Sequence, residues 1–203
     1  KTENGDVVVL IADMQASLVN EILGKLRCYA AEKLDLIDTS QFKACWITDF
    51  PLFELKNGQL SSMHHPFTQP SQDVLNCNTT EEWLNITANA YDIVINGEEI
   101  GGGSLRIHDT EVQKKIFDAL GLSEKEINEK FGFFVDALRY GTPPHAGLAL
   151  GLDRLIAMIL QTNSIREIIA FPKNRMAFCP LTSAPSSVAQ EQLQELNIIA
   201  KKP

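Results

Sequence analysis

The stretch YDIVINGEEIGGGSLRIHD, residues 91–109, decides the fold. Tyr91–Ile95 reads as a strand. Asn96-Gly97 follows, a pair that enters the left-handed positions of a tight type I′ turn with little strain, so a hairpin is predicted. Glu98–Ile107 is the return strand. Glycines 101–103 fall in its middle, where missing side chains and backbone entropy weaken a sheet. Such a run is either a bulge or crowded packing, or a floor on which a ligand lies close to backbone. It is not a P-loop, because no Gly-Lys-Ser/Thr follows. Glu99 and Arg106 bracket the run and offer one metal-binding carboxylate and one anion-binding guanidinium.

Upstream, FKACWITDF (residues 42–50) alternates and is rich in β formers, so it reads as a strand stopped by Pro51. Residues 56–80 read as loop, with Asn57-Gly58, Pro66 and Pro70 as turn signals. This loop contains MHHPFT (63–68). His64 and His65 alone lack the further ligands that zinc needs.

Downstream, Thr110…Gln113 and Ser123…Glu126 fit capping boxes that open two helices, and Gly121 ends the first. His145, in Pro143-Pro144-His145, reads as a rigid turn residue. GLALGLDRLIAMIL (147–160) passes from a glycine-punctuated strand into an apolar helix. Gly147 and Gly151, four apart, are expected on one strand face, where a flat ligand could press on the sheet. Arg154 falls at the strand-to-helix junction. There, free amide donors and the helix dipole favour an anion, and a planar guanidinium adds two donors. Ser164…Glu167 precedes a last predicted strand, IIAF (168–171), closed by Pro172. Hairpins with helices to one side predict an α+β fold with an antiparallel sheet, not a doubly wound parallel one.

The start of the chain reads differently. VVVLIA (7–12) has a buried-strand pattern, and Asp13 is a candidate cap for a helix carrying Leu18, Ile22, Leu26 and Ala30 at helical spacing. This piece, residues 1–41, is too small for its own core and is expected to be the tail of a neighbouring domain. Residues 42–203 form the second unit.

Composition narrows the function. Eighteen Lys and Arg against 26 Asp and Glu give a net charge of −8, unlike a domain built to coat phosphate backbone. Hydrophobic content of 44% and charged content of 22% exclude disorder and collagen-like repeats. The longest apolar runs fall far short of a membrane span. No basic region followed by an apolar one stands at the start of these residues, so export is not expected. The four cysteines (28, 45, 77, 179) are widely spaced, which argues against a zinc knuckle and for reduced thiols.

Together, YDIVINGEEIGGGSLRIHD and FGFFVDALRYGTPPHAGLALGLDRL (131–155) resemble bacterial-type aspartyl-tRNA synthetase. The second contains the third class II motif at 147–155. FPLFE, MHHPFT and FPK fit the same family in order and spacing. The resemblance covers essentially the whole chain and implies part of a class II synthetase-type antiparallel sheet flanked by helices. It also implies that 1–41 is the end of the inserted domain of bacterial-type members and that 42–203 is the C-terminal part of the catalytic domain. No first motif, second motif or N-terminal anticodon-reading domain is visible, so this chain is expected to be an inactive fragment by itself.

The implied activity is ATP-dependent formation of aspartyl-adenylate, then transfer of aspartate to the 3′ end of tRNA. Arg154 and Arg106 match catalytic arginines, one on the ATP γ-phosphate and one on the aspartate side chain. Glu99, Gly151, Leu152, Asp153 and Arg154 match the ATP site, with Glu99 acting through Mg2+. His64 and Arg106 match the aspartate site. The implied partners are L-aspartate, ATP, the tRNA acceptor end and a second copy in the full-length enzyme, in the cytoplasm or alternatively an organellar matrix. An asparaginyl-type synthetase, an asparagine-making paralogue and a non-catalytic binding fragment are the rival readings. One structural expectation follows. Glu99 and Arg106 are seven residues apart, so an unbroken strand would point them to opposite faces. If both serve one site, a bulge or kink within Gly101–Ser104 must shift the phase, and Gly102 and Gly103 would lie against the ligand.

Overall fold

The structure, a computed structural model, describes residues 2–199. The chain divides into two compact units, Lys1–Lys43 and Ala44–Pro203. The first holds one helix, α1 (Ala16–Lys33), none of whose residues is buried. The predicted strand at 7–12 is absent; Val7 and Leu10 are 88% and 89% exposed. An apolar run becomes a strand only when a partner takes up its N–H and C=O groups. Gln15, not Asp13, is the N-cap of α1, and it makes no side-chain cap bond. Asp13 instead accepts from the Gln15 N–H at 2.8 Å, just ahead of the helix.

The second unit is α+β. Strands β1 (Ala44–Ile47), β4 (Ala90–Ile95), β5 (Glu98–Leu105) and β6 (Ala146–Leu150) form one antiparallel sheet in the order β1-β4-β5-β6. The β4–β5 hairpin turns at Asn96-Gly97, with φ of 51° and 85°, as the sequence predicts. Asn57-Gly58 (φ 53° and 78°) does the same for a separate hairpin, β2 (Phe53–Lys56) and β3 (Gln59–Ser62), within a segment expected to be loop. A short helix that the sequence did not predict, α2 (Thr80–Leu84), follows that segment and opens on a Thr79/Glu82 capping box.

Helices α3 (Thr110–Ala119) and α4 (Glu124–Leu138) follow β5. The Ser123/Glu126 box forms as predicted. At α3 the cap is Asp109, one residue before the expected Thr110; its carboxylate accepts from the N–H groups of Glu111 and Val112. A carboxylate at the N-cap also meets the positive helix end. Helix α5 (Leu152–Ile159) leaves β6 after a single residue, Gly151, and α6 (Gln190–Glu195) lies near the end. The predicted IIAF strand is not formed. Ser164 instead caps a 3₁₀ turn, Ile165–Glu167, and residues 168–171 continue as turn and bend. Among the described residues nothing pairs with them, so the apolar pattern has no ladder to join.

Leu52, Phe53, Val74, Trp83, Ile86, Ala88, Ala90, Ile107 and Ile116 form the core. Loops, hairpin β2–β3, α2 and α3 thus pack at the end of the sheet where β4 begins and β5 runs out. At an order of magnitude, each buried Val, Leu, Ile or Phe side chain among them contributes about 1.5–3 kcal/mol. The four cysteines are free, and among the described residues no helix is long and apolar enough to cross a membrane.

Candidate active site

The register of β5 places the first two charged residues. Ile93 opposes Gly101, but Val94 opposes Glu99, so Ile100 is an extra residue on β5. Directly opposed residues share a face and alternate along each strand. Glu99 therefore sits on the face of Val94 and Asp92, and Asp92 opposes Gly102, which puts Gly102, Ser104 and Arg106 on that face too. The bulge does what the seven-residue spacing demands, one residue earlier than the predicted Gly101–Ser104 window.

The glycines answer a different need. A Cβ at Gly101 would run into the Ala149 carbonyl oxygen, and one at Gly103 into that of Gly147; both belong to β6. They let two backbones approach. A side chain at Gly103 would point away from Glu99 and Arg106, but its backbone, like that of Gly102, lines the cavity beside them. Only Gly102 shares their face, and a Cβ there would meet the Asp92 carboxylate. Gly151 is likewise not on a strand face with Gly147, because β6 ends at Leu150; it is the N-cap of α5, and its N–H donates to the Ile100 carbonyl at 2.7 Å.

A cavity of about 590 Å³ opens on this face. It brings together His64, Glu99, Arg106, Gly151, Leu152, Asp153 and Arg154, every site residue predicted from sequence. Arg154, in the first turn of α5, donates to the Glu99 carbonyl at 2.9 Å, and its guanidinium lies 3.6 Å from the Glu99 carboxylate. Both side chains are about half exposed, so this pair adds little stability and is open to an incoming charged group. Arg106 leaves the end of β5 with its N–H on the His145 carbonyl at 2.9 Å. His145, expected in a turn, lies in the irregular stretch that leads straight into β6, its ring against the Pro143 carbonyl at 3.0 Å.

Three polar lining residues are not among the predicted site residues. The His65 imidazole contacts the Arg106 guanidinium. Burial, then the charge of Arg106 and the neighbouring His64, hold its pKa below the ordinary 6.5 and keep the ring neutral near pH 7. Adjacent histidines look alike in sequence, and only the backbone path decides that His65 reaches Arg106 while His64 stacks edge-on against Phe50, ring centres 4.9 Å apart. Asp92 adds a second carboxylate; it lies two residues before Val94, which opposes Glu99, so its face shows only once β4 and β5 are paired. Ser104 is buried, and its hydroxyl has no hydrogen-bond partner. Asp92, Glu99 and Asp153 oppose Arg106 and Arg154, leaving one excess negative charge. Among the described residues, no three His, Cys, Asp or Glu side chains converge to hold a metal unaided.

The aspartate–tRNA(Asp/Asn) ligase 1 of Syntrophus aciditrophicus is 53% identical over 98% of this chain and 28% of its own length. The aspartate–tRNA ligase of Macrococcus caseolyticus is 47% identical over 97% of this chain and 33% of its length. The chain thus spans about a third of these relatives. Among solved structures, the aspartyl tRNA synthetase from Entamoeba histolytica superposes with a TM-score of 0.50 at 24% identity, over 68% of this chain and 24% of that one, a likeness of fold. The model of the family described as tRNA synthetases class II (D, K and N) matches residues 11–175, and the chain belongs to that family.

Proposed function

We propose that this chain is the part of an aspartate–tRNA ligase that holds ATP and the aspartate side chain. The carrying observation is the bulge at Ile100, which gathers Glu99, Arg106 and Arg154 on one cavity. In this reading Arg154 binds the γ-phosphate at the start of α5, where amide donors already favour an anion. Gly151, Leu152 and Asp153 line the nucleotide site. Arg106 pairs with the aspartate side chain; a guanidinium suits a carboxylate and would lose its charge partner if offered a neutral amide. His64 closes over the amino acid.

The aspartate α-carboxylate oxygen attacks the α-phosphorus of ATP, an O–P bond forms, and pyrophosphate leaves. The tRNA 3′-hydroxyl then attacks the adenylate carbonyl, and AMP leaves. Both steps rest on positioning and charge neutralisation. Mg2+ usually takes one or two carboxylates plus substrate phosphates, and Glu99 and Asp92 on one face fit that donor set. Such an ion would neutralise phosphate charge. The names of the relatives support aspartate and tRNA as partners. A homodimeric whole enzyme and residues 1–41 as the tail of an inserted domain follow from the sequence resemblance, and a separate compact unit ending at Lys43 is in keeping with the second. The test is ATP–pyrophosphate exchange by the full-length enzyme. Exchange that depends on aspartate and ignores asparagine is expected; dependence on asparagine overturns the reading.

A further inference from the structure

Gln113 lies in the second turn of α3 and is 1% exposed. Its Nε2 donates to the Pro66 carbonyl, 47 residues earlier in the chain, at 2.9 Å. A carbonyl only accepts, so the amide nitrogen must face it. That leaves Oε1, which is buried with no hydrogen-bond partner. A buried unpaired acceptor costs stability, and an apolar side chain of similar size would avoid that cost. The polar character of Gln113 therefore serves the one bond it makes.

That bond ends one residue after the histidine pair. A proline restricts the residue before it to extended backbone and fixes its own φ. Gripping the Pro66 carbonyl removes most of the remaining freedom next to His65. The same segment is held at neighbouring points. The Thr68 N–H donates to the His65 carbonyl at 3.3 Å and the Ile107 N–H to the Phe67 carbonyl at 3.0 Å. The Phe67 ring packs on Phe117 of α3 and on Phe131 and Phe134 of α4, with centroids 6.2, 5.2 and 4.6 Å away.

We infer that Gln113 is a positioning residue for the cavity histidines: its amide fixes the Pro66 carbonyl and so sets the His65 ring against Arg106 and His64 at the cavity. Where these rings stand does not depend on which amino acid the enzyme activates.

The test is NMR of the 203-residue chain with Gln113→Met, which keeps the bulk and removes the donor. Freed from Pro66, the His65 ring swings away from Arg106 and His64, and its titration moves up toward the ordinary 6.5. Amide exchange at Thr68 and Ile107 speeds roughly fivefold, the scale of one net hydrogen bond. The melting temperature holds or rises. A His65 titration that does not move overturns the inference, whatever the melting temperature. Should Gln113→Met fail to fold, the unmodified chain still decides. Gln113 side-chain amide protons must exchange more slowly than those of exposed Gln190; equal rates overturn it.

Discussion

Asn57-Gly58 and Asn96-Gly97 turn two hairpins with the same left-handed pair, yet only the second reaches the cavity. In β2–β3 the pairing from Phe53↔Ser62 to Lys56↔Gln59 runs without a break, so alternation set at the turn persists to the end. In β4–β5 the extra Ile100 resets it, and residues either side of the bulge follow different counts from the same turn. A tight turn thus fixes faces only as far as the first irregularity. Beyond it, the neighbouring strand decides: Ile100 directs its carbonyl to Gly151, and Gly101 and Gly103 make room for β6.

The largest effect should come from the far end of the bulged hairpin. In the full-length enzyme, Arg106→Leu should raise the aspartate requirement far more than the ATP requirement, by about 2–5 kcal/mol for a charge-assisted pair in a pocket. Kinetics at varied aspartate and ATP check this. A collapse of ATP use alone would reassign Arg106 to phosphate. Arg154→Ala should slow adenylate formation roughly a hundredfold or more, with the fold intact by circular dichroism, since one charge-stabilising donor is lost from a half-exposed position.

Next is stability. Gly103→Ala puts a Cβ into the Gly147 carbonyl, and urea denaturation should show a loss of about 1–3 kcal/mol, as for other overpacked sites. Gly102→Ala meets only the movable Asp92 side chain, so it should be milder on folding. At the two turns, Gly58→Ala and Gly97→Ala should each cost about 1 kcal/mol, because both need positive φ and neither Cβ meets a neighbour. Clearly unequal losses would show that the turns are not equivalent.

The smallest effect is in pH. His65 binds its proton less readily in the folded chain than in the unfolded one, so the unfolded state holds more protons as pH falls below 6.5. The stability linked to this ring is fully present above 6.5 and is lost as pH drops toward the lowered folded value. Urea midpoints across that window should decline on acidification, and less steeply in His65→Gln. Equal slopes would mean that the ring is not held where it contacts Arg106.

Local chemistry carried much of this fold in readable form. The Asn96-Gly97 hairpin, the Ser123/Glu126 box and the passage from β6 to α5 each depend on residues within one turn of each other. What stayed hidden depends on partners far away in sequence. VVVLIA and IIAF have the composition of strands but no ladder. β2 and β3 are four residues each, too short for alternation to stand out. For the cavity, the residue types and the odd spacing of Glu99 and Arg106 were legible, including the need for a phase shift. Its position at Ile100 was not, because the glycines that drew the reading serve β6. His65, Asp92 and Ser104 become visible only when the paths of two or three strands are laid side by side.

The bulge also bears on how such hairpins are sought in other chains and transplanted. A search that demands an even count between an acid and an arginine on one strand would discard this pair at once. A graft of residues 90–105 onto an idealised ladder of the same length would keep every residue and still aim the carboxylate through the wrong side of the sheet. What has to be copied is the parity of the strand, and a single isoleucine with nothing opposite it carries that.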